Sequence, residues 1–330
     1  MKVLIALLAV AVLLAAVWIG AGGAGLHVLF GVVLPYLALA VFLIGMVYRV
    51  LLWAGAPVPF RIPTVCGQQR SLPWIRRNPL GSPSGTLETV GRMAGEILLF
   101  RSLFRNTRMG LTNTDRVAYR SDKLLWLGAL AFHWSFLVIF LRHQRFFLEP
   151  VPRLVHFIES ADGFFQLTVP DFFLSDAVIL LALLYLLGRR LLNPQVRYIS
   201  LPTDYFALFL LLGVAASGIF MRYITKVDLV RVKQLSLGLV TFRPVVPDEI
   251  GLPFYIHLFL ICALFTYFPF SKLVHMGGIF LSPTRNLANN NRMRRHINPW
   301  NPEVEVHTYA QWEDEFRDKI EAAGIALDRN

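Results

Sequence analysis

Residues 3–48 carry no charged side chain. A bilayer core of about 30 Å is crossed by about 20 helical residues, so this stretch is too long for one crossing and suits two. The run GAGGAG at 20–25 supplies the reversal. The expected spans are 3–20 and 27–53. A cleaved signal peptide is the competing reading, since Lys2 is followed by an apolar run and then small residues. The retained hairpin is preferred.

Four further runs, at 124–147, 172–188, 204–222 and 252–276, have the length and apolarity of spans. Six helices therefore make an all-α integral membrane bundle. Composition agrees: the 330 residues are 55% hydrophobic and 16% charged, against roughly 25% charged in soluble domains. The net charge of +11 raises the question of nucleic acid. The excess lies between the apolar runs, where it signals membrane topology instead, and nucleic-acid binding is set aside. The two cysteines, Cys66 and Cys262, are far apart. No C-x-x-C-H motif or cysteine cluster is present, so covalent haem attachment is excluded and any iron–sulfur centre belongs to a partner.

The chain divides into an N-terminal hairpin (1–54), a basic loop (55–122), a four-helix core (123–276) and a tail (277–330). The loop has ten arginines against four acids, and the connection 189–203 adds Arg189, Arg190 and Arg197 with no acid. By contrast, 148–171 has one arginine and four acids. The positive-inside rule then places both termini and the two arginine-rich connections in the cytoplasm. Lys226, Arg231, Lys233 and Arg243, in the connection 223–251 assigned outside, run against that assignment. In the tail, Trp312, Phe316, Ile320 and Ile325 recur near helical spacing. Such an amphipathic face requires a surface to cover it, which reads as partner docking.

Four histidines lie within two of the spans. His133 and His143 are ten residues apart in LLWLGALAFHWSFLVIFLRHQR, and His257 and His275 are eighteen apart in YIHLFLICALFTYFPFSKLVH. Ionisable residues inside lipid are costly and mark function. Neutral imidazole is a ligand of haem iron, and four of them on two antiparallel helices form two pairs: His133 with His275 and His143 with His257. At 1.5 Å per residue the rises are roughly 15 and 27 Å. A kink at Pro269 is the expected remedy for that mismatch. Copper would need ligands at one depth. The competing account has each histidine merely packed against a carbonyl.

Arg142, Arg145 and Arg222 end spans where haem propionates would need counter-charge; interfacial snorkelling explains the same arginines without haem. Ser217-Gly218 would admit a porphyrin to the backbone, or simply pack helices. Trp134 reads as packing. His27, His296 and His307 have no partner at ligand spacing. His156 lies with Glu149, Glu159 and Asp162 in the connection after His143. These four are candidates for proton exchange at a quinone site, against the alternative of solvated loop charge.

The two spacings, and the ending YFPFSKLVH of the last span, resemble the gamma subunit of respiratory nitrate reductase over roughly 120–280. That resemblance implies a b-type cytochrome with two bis-histidine haems b, oxidising quinol and serving a cytoplasmic partner. Position 163, where counting from His143 would put that family's quinone-site lysine, is glycine. The N-terminal hairpin, the basic loop and the tail segment SPTRNLANNNRMRRHINPWNP look more like the membrane cytochrome b of the sulfite-reduction-associated Dsr complex. That likeness implies an iron–sulfur partner resembling heterodisulfide reductase. It also implies a triheme cytochrome c, a ferredoxin-like protein and a second membrane subunit.

The expected protein is thus a dihaem cytochrome b of a prokaryotic cytoplasmic membrane. It exchanges electrons between membrane quinol, menaquinol or ubiquinol, and a respiratory complex linked to sulfur metabolism. The alternatives are the same role in a heterodisulfide or nitrate reductase complex, or a proton-coupled transporter relaying through the histidines. Against the transporter stands the lack of an internal repeat or paired broken helices.

Overall fold

A computed structural model describes residues 1–56, 68–111, 116–163, 172–248, 250–282, 285–290 and 306–328. Cys66, His296 and most of the segment SPTRNLANNNRMRRHINPWNP lie outside the described residues. Five helices are long and apolar enough to cross a bilayer: Lys2–Gly23, Leu29–Ala54, Lys123–Phe146, Pro202–Thr225 and Leu252–Phe270. The chain is an α-helical integral membrane protein, and its exposed leucines and valines along the first two helices face where lipid would be.

Named in chain order, α1 is Lys2–Val17, α2 Leu34–Ala54, α3 Thr86–Leu99 and α4 Arg101–Phe104. After the hairpin β1 (Thr107–Leu111) and β2 (Val117–Ser121) come α5 (Lys123–His143), α6 (Arg153–Asp162), α7 (Leu174–Leu192) and α8 (Pro194–Ile199). The remainder is α9 (Pro202–Phe220), α10 (Leu229–Val240), α11 (Leu252–Tyr267), α12 (His275–Leu281) and α13 (Tyr309–Ala322). The fourth predicted span is α7, a 19-residue helix that also holds Asp176, Arg189 and Arg190. It is therefore more charged than the other five, and each of these charges is met by a group on a neighbouring segment.

Helix α5 packs on α7, α7 on α9, and α9 on α11. Leu183, Leu210 and Leu260, from α7, α9 and α11, form the centre of the core, and Val10 of α1 joins them. Helix α1 packs chiefly on α9 and α2 chiefly on α11, and α1 contributes to the same apolar cluster as the last spans.

The basic loop holds α3, α4 and the antiparallel pair β1–β2, a two-stranded hairpin in an otherwise α-helical chain. In α3, Arg92 and Glu96 are buried while Leu87, Val90 and Leu99 are exposed, the reverse of a helix on a soluble domain. The tail helix α13 starts at a capping box of Thr308 and Gln311. It contains Trp312, Phe316 and Ile320 but ends before Ile325, which is exposed.

The last span does not kink at Pro269; it ends there. Helix α11 tightens through Phe268–Phe270, Ser271 is extended, and a second short turn leads into α12. Proline lacks an amide donor and crowds the preceding turn. What stabilises the break comes from α2. Arg49 Nε donates to the Pro269 carbonyl at 2.7 Å. Gly45 allows the proline ring to approach: a Cβ there would lie 2.7 Å from Pro269 Cβ. Eighteen residues of continuous helix therefore never separate His257 from His275, and the rise mismatch with the α5 pair is resolved by the break.

Candidate functional site

Each of the four candidate histidines has its Nδ1 engaged. On α5, His133 Nδ1 lies 2.8 Å from Ala129 O and His143 Nδ1 lies 2.7 Å from Ile139 O. These are carbonyls one turn back on the same helix, within natural reach of a histidine ring. His275, the first residue of α12, has Nδ1 2.9 Å from Lys272 O in the turn that follows the Pro269 break. His257 differs: its Nδ1 lies 2.9 Å from Ser217 Oγ on α9. Ser217 donates its hydroxyl hydrogen to Val214 O at 3.0 Å, so its oxygen accepts from the imidazole. With Nδ1–H donated in all four rings, every Nε2 keeps its lone pair.

The rings meet in two pairs. His133 and His275 have centroids 5.8 Å apart with planes at 79°, and His143 and His257 have centroids 6.5 Å apart at 25°. A metal held between two imidazoles at about 2.0–2.1 Å from each nitrogen puts the ring centres roughly 6.3 Å apart. The two separations bracket that value, and engagement of every Nδ1 leaves Nε2 as the nitrogen free to bind a metal. Among the described residues no three His, Cys, Asp or Glu side chains converge; the imidazoles come in twos. The donor set and its spacing fit bis-histidine haem. Phe100 and Phe132 lie edge-on to His133 at 4.9 and 5.0 Å. Gly218 sits against His257, where a Cβ would lie 3.2 Å from Cε1. The Ser217-Gly218 step, read in the sequence as either a porphyrin approach or plain helix packing, lies against the His257 imidazole.

Beside His143, Arg142 is buried in a network the sequence reading missed. Its Nε lies 3.0 Å from Asp162 and its Nη2 2.7 Å from Asp176 and 3.1 Å from Ser175 Oγ. Tyr223 donates to the other Asp176 oxygen at 2.9 Å. The Phe173 ring lies between the Arg142 and Arg222 guanidinium groups, at 3.7 and 3.9 Å. The expected role of Arg142 toward a haem carboxylate is therefore revised: two carboxylates of the chain itself already compensate its charge. Arg145 pairs with Glu159 at 2.8 Å, so its charge is also partly met.

The four quinone-site candidates do not converge. Asp162 belongs to the Arg142 network, Glu159 binds Arg145, and Glu149 pairs with Lys233. His156 is exposed, 3.8 Å from Glu159. The missed residues left a trace in the sequence: Asp176 is an acid just inside an apolar run, and Tyr223 follows an arginine at a span end. At the opposite end of the bundle, Asp204 of α9 gathers Lys272 at 2.8 Å and Arg190 at 3.5 Å. This cluster ties the turn before His275 to the ends of α7 and α9.

Fold and site together define a class: a multi-pass helical membrane protein in which two imidazole pairs link α5 to α11 and α12. Residues 93–295 match the family described as nitrate reductase gamma subunit, and the chain belongs to that family. It is 46% identical over 282 residues to the Hdr-like menaquinol oxidoreductase cytochrome b-like subunit of Archaeoglobus fulgidus, covering 83% of this chain and 84% of the relative. The protein of the same description from Archaeoglobus profundus is 43% identical over 284 residues, with 83% of each chain covered.

Proposed function

We propose that this chain is the cytochrome b-type electron-transfer subunit of a quinone-linked oxidoreductase complex, with menaquinol as the quinol. The observation that carries the reading is the commitment of all four Nδ1 atoms, which leaves Nε2 as the free nitrogen in two ring pairs whose centroids lie 5.8 and 6.5 Å apart. His133 and His275 hold one haem b, and His143 and His257 hold the other. Bound haem supplies one-electron redox chemistry at two depths in the bilayer.

The chain's own residues do the rest. Ala129, Ile139, Lys272 and Ser217 orient the imidazoles. Phe100 and Phe132 shield His133. On the proposed topology, with six spans and cytoplasmic termini, His143 and His257 lie toward the outside. Quinol gives up protons there, and exposed His156 beside Glu159 is placed to pass them to solvent. Asp162 and Asp176, held by Arg142, keep that end of the bundle charged but fixed.

The partner follows from the relatives' description as Hdr-like, which supports a cytoplasmic iron–sulfur subunit of the heterodisulfide reductase kind. That reading takes precedence over the sulfite-associated Dsr complex, whose triheme cytochrome c, ferredoxin-like and second membrane subunits the relatives' names do not carry. The transporter alternative gains no support from relatives described as oxidoreductase subunits. The test is a dithionite-reduced minus oxidised spectrum with a pyridine haemochrome count. About two haems b per chain, falling to about one in His143→Ala or His133→Ala, is expected. A folded preparation supplied with haem during expression that contains none overturns the proposal.

A further inference from the structure

A cavity of about 1130 Å³ opens where the hairpin β1–β2 meets the start of α5 and the end of α7. Its walls include Arg108, Arg120, Lys123 and Arg189, with Asp122 as the acid and Tyr185 at the side. Asp122 is engaged by Arg189 at 2.8 Å. Lys123 lies over the Phe104 ring at 4.7 Å. Among the described residues, the Arg108 and Arg120 side chains have no hydrogen-bond or ion-pair partner.

The two arginines are also directly opposite each other in the hairpin register. Like charges at facing strand positions repel and destabilise the pair. A local conflict of this kind, in a segment otherwise consistent with its fold, marks a place where a ligand supplies the missing charge. The cavity thus presents an excess of three cations. The position of the cavity narrows the ligand. Lys123 and Leu124 begin an apolar span, and Leu192 ends α7, so the cavity lies at the boundary between polar and apolar surface. Leu124, Leu127, Leu181, Leu184 and Leu192 are exposed along the same two helices. A basic cavity continuous with apolar helix faces suits an anionic head attached to acyl chains.

We propose that this cavity binds the phosphate-bearing headgroup of an anionic phospholipid, with Arg108 and Arg120 as its principal cations. The experiment is native mass spectrometry of the purified protein from mixed micelles containing equal phosphatidylglycerol and phosphatidylcholine. A parallel melting curve is recorded in each lipid and with inorganic phosphate alone.

The wild type is expected to retain phosphatidylglycerol selectively and to melt higher in its presence. Arg108→Gln with Arg120→Gln loses that preference by on the order of 30-fold. It also melts no lower than wild type in phosphatidylcholine, because the facing like charges are gone; this control separates lost binding from lost folding. Equal retention of the two lipids by wild type, or undiminished preference in the variant, overturns the proposal. An equal melting shift from inorganic phosphate alone overturns the lipid as the source of the phosphate. A variant with normal lipid selectivity that no longer co-purifies with its iron–sulfur partner assigns the cavity to protein docking, and the lipid reading falls.

Discussion

Ser217 Oγ lies 2.9 Å from His257 Nδ1 while passing its own hydrogen to Val214 O. Three of the four proposed ligand histidines are oriented by main-chain carbonyls close in their own sequence; this one is oriented by a side chain of another helix. The hydroxyl makes His257 the ring whose orientation mutation can alter without touching the backbone.

Ser217→Ala is therefore expected to act on one haem only. Partners of a ligating imidazole raise its basicity and typically account for 10- to 100-fold in metal affinity. Losing the partner weakens retention of the His143–His257 haem and raises its midpoint potential, because a less basic ligand stabilises the oxidised iron less. A redox titration followed optically checks this, with the His133–His275 haem as the internal control. Gly218→Ala, which crowds the ring at 3.2 Å, is expected to broaden the same transition.

The Arg142 network is buried, with side-chain exposure of 7%, 8% and 11% for Arg142, Asp162 and Asp176. Arg142→Met strands two carboxylates and is expected to cost about 3–5 kcal/mol. Adding Asp162→Asn and Asp176→Asn removes the stranded charge and restores part of that loss. Melting curves in detergent compare the single and triple variants. Equal melting of wild type and Arg142→Met would show that water reaches the carboxylates.

The break before His275 depends on α2. Arg49→Met leaves the Pro269 carbonyl without its 2.7 Å donor, a loss of about 1–3 kcal/mol if the group stays buried. Gly45→Leu forces a side chain into the proline ring, with a further overpacking cost of about 1–3 kcal/mol. Both changes are expected to disturb the haem held by His275 ahead of the one held by His257. The split can be followed by electron paramagnetic resonance of the two low-spin signals.

Haem itself is expected to stabilise the bundle, since a ligand that binds only the folded chain raises the melting temperature by mass action. Protein made under haem limitation should melt lower and recover on haem addition. His143→Ala with His257→Ala should recover only partially, and full recovery in that double variant would remove those residues as ligands.

Much of this protein is legible along the chain. The apolar runs near 20 residues set the spans, because lipid forces each backbone segment to satisfy its own hydrogen bonds. Two antiparallel spans bearing these histidines would pair His133 with His275 and His143 with His257, and the same rings lie with centroids 5.8 and 6.5 Å apart. The tertiary structure decided what depends on contacts between distant segments. Arg142 has its charge met by Asp162 and Asp176 on two other helices, so its role could not be read from its place beside His143. Pro269 became a helix end because Arg49 and Gly45 of α2 accommodate it. Local pattern follows from the solvent around each helix, whereas charge pairing and close packing depend on which helices become neighbours, and no single segment carries that information.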